Sequence, residues 1–269
     1  MKSATSIMGL ADISISDVFD LEGEYNTALS AVQKDGSRQG YFHPSGVGSC
    51  GRSQVYEYNK APFIPETDLG SSEIFDLGHA IHELVGRRLQ SVKSHLEAKN
   101  IGYRLQLEVP FDPKTDILFS DFRIGGTTDA RLDVWADDWA QRSVIEIKSI
   151  NRANFEKLIK PKHEHLMQAH LYAFRYDCPI IYVWYYCKDT SSKRVFTCLF
   201  DPDIFNEAID YFSGLMDHVI QGSLPERNED FYMCPRCQYR DICNPPVLLK
   251  LKSSKQTKTM TNIRTHRKL

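Results

Sequence analysis

Two neighbouring stretches of alternating polar and apolar residues constrain the fold more than any other feature of this chain. Residues 127–136 alternate with a period of two, which is typical of a β-strand with one buried face. Residues 142–150 alternate in the same way, and the run 137–141 between them, which begins with two aspartates, predicts a turn. Because helical patterns precede and follow this hairpin, the sequence predicts an α/β fold with a core sheet flanked by helices.

The predicted hairpin carries charged side chains on one face. Asp129 lies on one face of the first strand, while Glu146 and Lys148 share a face of the second. Adjacent antiparallel strands can therefore present all three side chains together. Asp133 shares the face of Asp129, but four residues at about 3.3 Å each place it roughly 13 Å away, too far to share one ion. We therefore expect Asp129, and not Asp133, to act in the site.

Two carboxylates beside a lysine suit the hydrolysis of a phosphodiester bond. The transition state gathers negative charge on phosphate oxygens, and water is a poor nucleophile until its proton is loosened. Carboxylate oxygens can hold Mg²⁺ or Mn²⁺, which polarises the phosphate and lowers the pKa of bound water. Lys148 can orient or deprotonate that water, or neutralise the phosphate. An E-x-K triplet by itself is equally typical of a solvated strand face, so this interpretation depends on further residues.

Helices predicted on either side of the hairpin supply further polar groups. The apolar spacing in residues 78–99 predicts a helix that carries His82, a candidate imidazole ligand, with His79 one turn away as a competing candidate. Downstream, a second predicted helix places Gln168 and Tyr172 four residues apart on one side. Each of these residues alone would also suit a structural or solvent-facing role.

Three of the seven cysteines form a compact pattern near the C-terminal end. Cys234, Cys237 and Cys243 have the spacing C-x2-C-x5-C, which indicates a metal or cluster site and not a disulfide scaffold. Cys50, in a glycine-rich loop, is the best candidate for a fourth ligand. Four thiolates bind Zn²⁺ as readily as iron, so the spacing leaves the metal open. The remaining cysteines lie in or beside apolar runs and are expected to be buried core thiols: Cys178, Cys187 and Cys198.

Four short motifs resemble, in order and spacing, those of RecB-like nucleases in the PD-(D/E)XK superfamily. They are G-x-x-x-H at 78–82, G-x-x-D at 126–129, E-x-K at 146–148 and Q-x-x-x-Y at 168–172. With one cysteine before the core and C-x2-C-x5-C after it, the chain is similar to the iron-sulfur members, which include CRISPR-adaptation exonucleases and related phage nucleases. The resemblance spans about residues 47–245. It implies a restriction-endonuclease-like core sheet flanked by helices, with a cysteine-cluster subdomain.

The resemblance also implies roles for single residues. The catalytic Mg²⁺ or Mn²⁺ would be bound by three side chains and one main-chain carbonyl: those of His82, Asp129 and Glu146, and the carbonyl of Ile147. Lys148 would be the catalytic lysine, and Gln168 and Tyr172 would position DNA or the active-site groups. Cys50 and the three C-terminal cysteines would ligate a 4Fe-4S cluster, with zinc as the alternative. Glu108 weakly resembles an acidic residue that some members carry before the G-x-x-D motif.

Length and composition indicate one enzyme domain with flanking segments. A chain of 269 residues with 42% hydrophobic composition can bury a sizeable core. We expect an N-terminal extension over 1–45, a nuclease domain over 46–245, and a basic, disordered tail over 246–269. The absence of a signal peptide or a long apolar run predicts no membrane association and a reducing, cytoplasmic setting, in a bacterium or in the host of a phage. The net charge of −2 excludes no nucleic-acid enzyme, because a local basic groove suffices.

These features, with the resemblance, predict a metal-dependent DNA exonuclease that prefers single strands or ends and serves DNA recombination, repair or processing. The expected partners are DNA and a protein of recombination, replication or CRISPR adaptation. Two alternatives stay open. The chain could be a DNA-binding or scaffold protein with a degenerate nuclease core, or a nuclease with structural zinc in place of the iron-sulfur cluster.

Overall fold

A five-stranded mixed sheet lies at the centre of the described part of the computed structural model. The described residues are 20–31, 40–63, 69–227, 234 and 237–243. The strands are β1 (Gly102–Pro110), β2 (Thr127–Ala136), β3 (Trp139–Ile150), β4 (Ile180–Cys187) and β5 (Lys193–Leu199). Their spatial order follows the sequence, and neighbours pair antiparallel except for β3 and β4, which run parallel. The α/β prediction of a core sheet flanked by helices is confirmed.

Helices surround this sheet. Their bounds are α1 (Leu21–Ala31), α2 (Gly51–Tyr58), α3 (Leu69–Glu97), α4 (Ile117–Phe122), α5 (Arg152–Glu156), α6 (His163–Arg175), α7 (Pro202–Gln221) and α8 (Arg240–Cys243). Helices α5 and α6 form the crossover that a parallel pair such as β3 and β4 requires. No helix of the described residues combines the length and apolar character needed to cross a membrane.

Helix α3 covers one face of the sheet. Its stripe of Ile81, Val85 and Leu89 repeats every four residues, so these side chains fall on one side of the helix. They share a buried cluster with three residues of β2 and β3, namely Ala130, Ile145 and Ile147. This packing carries His82, which follows Ile81, to the part of the sheet where the hairpin residues lie.

Helices α6 and α7 cover the opposite face. A larger buried cluster joins side chains of the sheet to these helices, including Val144, Val183, Ala169, Leu171, Phe212 and Leu215. Strands β3 and β4 are therefore buried on both faces. The same arrangement lays Gln168 and Tyr172 of α6 against the end of β3.

The predicted elements correspond closely to those observed, with corrections in the hairpin and at the start of α3. Strand β2 has the predicted bounds, but the predicted turn over 137–141 is wrong, because β3 already begins at Trp139. Ala136 pairs with Trp139, so two residues suffice to connect the strands. Helix α3 also begins earlier than the predicted residue 78.

The predictions for the flanking segments and core thiols have mixed outcomes. Residues 1–19 of the predicted extension and the predicted tail over 246–269 lie outside the described residues. Cys178 and Cys187 are buried as expected, whereas Cys198 is only half-buried because it lies on β5, at the edge of the sheet.

Candidate active site

The pairing of β1 with β2 places two carboxylates opposite each other. The register on both sides of this position sets Glu108 against Asp129. Glu108 also has a φ of 50°, a left-handed conformation that is uncommon for residues other than glycine and is often found at functional sites. Like charges directly opposite on paired strands repel each other. A cation between them would turn this repulsion into attraction.

Asp129 is held from two sides. One carboxylate oxygen accepts a hydrogen bond from the main-chain N–H of Ile147 at 2.7 Å, and the other lies 3.3 Å from Nδ1 of His82. Burial opposes protonation of His82, but the hydrogen bond and charge of Asp129, with the charge of Glu146, raise the pKa of the imidazole. Asp129 therefore links strand β3 to helix α3 at one point.

Three metal-ligating groups converge at this point. Donor atoms of His82, Glu108 and Asp129 all lie within 4.8 Å of one another in the described part of the chain. The set expected from sequence contained Glu146 in place of Glu108, so two of its three side chains are brought together here. One imidazole nitrogen and two carboxylates form a donor set suited to a divalent ion such as Mn²⁺ or Mg²⁺.

Glu146 lies beside this group but is turned toward Lys148. Its Oε1 is 2.8 Å from Nζ of Lys148, while its buried Oε2 has no hydrogen-bond partner among the described residues. Burial, opposed by Lys148, raises the pKa of Glu146 to about 7. A buried carboxylate oxygen without a partner is unfavourable. A divalent cation would supply the missing partner, so the donor chemistry fits a metal ion.

Lys148 connects Glu146 to the polar side of α6. Its Nζ donates to Oε1 of Gln168 at 2.8 Å, and Nε2 of Gln168 donates to the hydroxyl of Tyr172 at 3.4 Å. Burial opposes the charged form of Lys148, but Glu146 and Asp129 raise its pKa. Burial also raises the pKa of Tyr172. The four side chains thus form one continuous series of contacts.

His165 lies one turn before Gln168 on α6. The Tyr185 hydroxyl accepts a hydrogen bond from the main-chain N–H of Lys162 at 2.9 Å, which leaves its own proton for Nδ1 of His165 at 2.8 Å. Burial, then the charges of Lys148 and Lys162, lowers the pKa of His165 to about 3. His165 is therefore neutral at physiological pH.

An open cavity of about 600 Å³ lies at the acidic and imidazole group. The lining includes all members of the acidic and imidazole group, together with Glu146, Lys148, Gln168 and Tyr172. The rest includes the rings of Tyr41, His43 and Phe119. Neither these three rings nor the full role of Glu108 was found by sequence reasoning. The alternation around Phe42 is a local signal for the first two rings, but the pairing that brings Glu108 to Asp129 is not local.

Asp133 and His79, the two residues that competed with Asp129 and His82 as candidate ligands, lie outside the acidic and imidazole group. Asp133 is held by Arg131, whose Nε lies 3.3 Å from its carboxylate, so it is turned to its own strand neighbour. His79 is exposed and lines the cavity, but in the described residues it does not belong to the group formed around Asp129. For Ile147 the main-chain N–H is used by Asp129, and the metal-binding role of its carbonyl stays a prediction.

The cysteines of the sequence pattern lie at a junction between α2 and α8. Cys50 is the N-cap residue of α2, and Arg52 of the same helix has Nη1 3.4 Å from the carbonyl and 3.7 Å from Sγ of Cys243. Burial raises the pKa of Cys237, and the other three cysteines of the pattern add to this rise. The Cys237 N–H donates to the Cys234 carbonyl at 3.2 Å, and Cys237 and Cys243 pack against the buried cluster that contains Tyr56 of α2. Among the described residues the four thiols do not form a group as tight as that around Asp129.

Comparison with known proteins gives distant structural likenesses alone. No protein-family model and no curated protein matches the sequence. Similar solved structures include SSO0001, with 17% identity over 84% of this chain and 95% of that one and a TM-score of 0.45. LHK-Exo in complex with dAMP has 15% identity over 69% and 91%, with a TM-score of 0.44. LHK-Exo, an alkaline exonuclease from Laribacter hongkongensis, also appears with 15% identity over 72% and 93% and a TM-score of 0.36. At these TM-scores the functional inference depends on the site itself.

Proposed function

We propose that this chain is a metal-dependent nuclease that hydrolyses phosphodiester bonds in DNA, as an exonuclease acting on single strands or ends. The observation that carries the proposal is the convergence of His82, Glu108 and Asp129 within 4.8 Å. The unpartnered buried oxygen of Glu146 lies beside them, and all four line an open cavity. Hard divalent cations prefer oxygen ligands, and Mn²⁺ also accepts imidazole.

The protein groups have separate tasks in this proposal. When bound, Mg²⁺ or Mn²⁺ acts as a Lewis acid and lowers the pKa of a water ligand. Asp129 and Glu108 hold negative charge where the cation is needed, and Glu146 completes the donor set. Lys148 offers a positive charge to the phosphate, where charge develops in the transition state. Gln168 keeps the Lys148 ammonium in place through the 2.8 Å hydrogen bond.

End-labelled DNA tests this proposal directly. Purified protein is incubated with single-stranded and double-stranded oligonucleotides in Mg²⁺, Mn²⁺ or excess chelator. We expect stepwise shortening from an end with either ion, faster on single strands, and no cleavage in chelator. Cleavage undiminished by chelator would contradict the mechanism. DNA binding with no cleavage in either ion would favour the alternative of a scaffold with a degenerate nuclease core.

The spacing of the four cysteines is the basis of a second part of the proposal, a 4Fe-4S cluster bound by Cys50, Cys234, Cys237 and Cys243. Thiolates are the ligands of such clusters, and all four of these cysteines are free of disulfides in the described part of the chain. Donor atoms around a cube of four iron atoms are spread more widely than those around one ion. Cys50 lies at the start of α2 and the others near α8, so the cluster would tie these parts together. Iron and acid-labile sulfide in anaerobically purified protein would support it, whereas stoichiometric zinc without iron would replace it with the zinc alternative.

The proposal extends to the domain bounds, the cellular location and the protein partner of the nuclease. The nuclease domain would span residues 46–245 and act on DNA in the cytoplasm, alongside a protein of recombination, replication or CRISPR adaptation. Affinity purification of the full chain from its native cell, with and without DNA digestion, tests this part. Enrichment of such a protein after DNA digestion is expected, and its loss on digestion would mean that DNA alone connects the two.

A further inference from the structure

Three aromatic rings form one side of the cavity, and the metal and lysine chemistry uses none of them. We call this set the aromatic wall: Tyr41, His43 and Phe119. The ring centroids of Tyr41 and His43 are 4.8 Å apart, and those of Tyr41 and Phe119 are 5.5 Å apart. All three side chains are half-buried and line the cavity that contains Asp129. Part of each ring is therefore accessible to a ligand in the cavity.

The backbone around Phe42 explains why two of these rings reach the cavity. Phe42 forms a parallel bridge with Ile124, in which its N–H donates to the Arg123 carbonyl at 2.7 Å and its carbonyl accepts from the Gly125 N–H at 2.9 Å. The Phe42 side chain is 1% exposed and belongs to the main core. Side chains alternate along an extended segment, so the residues on either side of Phe42 fall on the cavity side.

Phe119 is positioned by the short helix α4. Asp116 caps this helix by accepting a hydrogen bond from the Leu118 N–H at 3.0 Å. Its fully buried carboxylate also forms an ion pair with Arg175 of α6. Helix α6 also carries Gln168, which accepts a hydrogen bond from Lys148. The position of Phe119 is therefore linked to the helix that contacts this lysine.

Gly125 allows the wall to lie against the chain that leads to Asp129. A Cβ atom at Gly125 would be 3.0 Å from Cδ2 of Phe119 and 3.1 Å from Cδ2 of Tyr41, closer than ordinary contacts. The absence of a side chain therefore lets both rings pack on the backbone four residues before Asp129. The wall and the acidic group therefore line the same cavity.

We propose that the aromatic wall stacks against one unpaired base of the DNA strand, next to the phosphate that is cleaved. This inference rests on the proposed nuclease function and specifies its substrate. Every base offers a flat π face, and stacking on an aromatic side chain contributes about 5- to 150-fold in affinity per base without sequence preference. Arg123, 5.0 Å from the Phe119 ring centroid, adds a cation at the border of the wall for a neighbouring phosphate.

The size of the cavity favours a single unpaired nucleotide over a duplex. A volume of about 600 Å³ lies within the range of small-ligand pockets, about 300–1,000 Å³. A base inside a duplex has both faces covered by its neighbours and must leave the stack before it can contact the wall. A base at a single-stranded or frayed end presents its face without that cost. The wall therefore selects unpaired ends.

Cleavage of end-labelled single strands that are either intact or abasic at the nucleotide next to the cleaved bond tests the wall. We expect the wild-type protein to cleave the abasic strand about 5- to 150-fold more slowly. Y41L should cleave the intact strand more slowly by a similar factor and lose the discrimination between the two strands. Y41F, which keeps the ring, should retain the discrimination between the two strands. Discrimination retained in full by Y41L, or absent from the wild type, would overturn the proposal.

A second variant and a binding measurement separate failure of the wall from failure of the enzyme. F119L is tested in parallel. If Y41L has a folding defect, detected as a lowered melting temperature in chelator, F119L decides whether the wall is needed for discrimination. If the wild type cleaves neither strand with Mg²⁺ or Mn²⁺, the proposed nuclease function fails. Fluorescence polarisation with the same strands then decides on the wall: tighter binding of the intact strand by the wild type but not by F119L supports it, and equal binding overturns it.

Discussion

Replacement of Asp129 by asparagine tests the metal centre without relying on catalysis. Asparagine keeps an oxygen that can accept the 2.7 Å hydrogen bond from Ile147, so the junction of β2 and β3 is preserved. It removes one negative charge from the group that Asp129 forms with His82 and Glu108. D133N is the matched control, because Asp133 lies on the same strand but is held by Arg131.

The size of the expected effect follows from linkage. An ion that binds the folded state alone stabilises it by about 2.7 kcal/mol at 100 times its Kd. In a chain of this size, 1 kcal/mol shifts the melting temperature by about 2–4 °C, so the wild type should gain about 5–10 °C with saturating Mn²⁺. In chelator, D129N relieves the repulsion from Glu108 opposite, worth about 0.2–1 kcal/mol, and should melt at or slightly above the wild type.

Differential scanning calorimetry in chelator, Mg²⁺ and Mn²⁺ measures both effects. The ion-dependent rise should be present in the wild type and D133N and nearly absent from D129N. Two results would refute the reasoning. The first is a full ion-dependent rise in D129N, and the second is its loss in D133N, which would mean that the ion binds further along the strand.

Three further predictions concern catalysis, the cluster and pH. E146A and K148A should each cleave DNA at least about 100-fold more slowly in single-turnover assays, yet K148A should keep the Mn²⁺-dependent rise in melting temperature, because the donor group does not include the lysine. C50S should lose iron and melting temperature together, since the proposed cluster would close a long loop, whereas C178S should keep its iron by elemental analysis. Full iron in C50S would exclude Cys50 as a ligand. Because the pKa of His165 falls from its ordinary 6.5 to about 3 in the folded protein, its neutral form stabilises the fold fully above pH 6.5 and progressively less below it. The free energy of unfolding by urea should therefore fall by about 2 kcal/mol more between pH 7.5 and 5 in the wild type than in H165Q, and equal slopes would contradict this assignment.

Local patterns in the sequence were sufficient for the hairpin and its charged face. Alternation over 127–136 predicted β2 with its observed bounds, because side-chain direction in a strand depends on the chain itself and on no distant contact. The same reasoning placed Glu146 and Lys148 on one strand face, and Oε1 of Glu146 lies 2.8 Å from Nζ of Lys148. Gln168 and Tyr172 are in contact for a similar reason, since residues four apart on a helix are neighbours. Their catalytic roles stay predictions.

Long-range pairing decided the composition of the acidic group. The register of β1 against β2 sets Glu108 opposite Asp129, although the two residues are joined by a loop and helix α4, and no local pattern specifies that register. It is set by the fit of both strands to the core as a whole. The hydrogen bond from Lys148 to Gln168 likewise depends on tertiary packing, because it is the packing of α6 on the sheet that brings Gln168 to Lys148.

The aromatic wall depends most completely on the tertiary structure. Tyr41 and Phe119 are far apart in the sequence, and each by itself resembles an ordinary core or surface residue. They meet because Phe42 bridges to Ile124 and because Gly125 leaves room for both rings. The sequence by itself thus determined which residues share a strand face or a helix side, where the geometry of a single element suffices. Only the folded chain decided which faces meet around one cavity, because that depends on packing between elements that are distant in sequence.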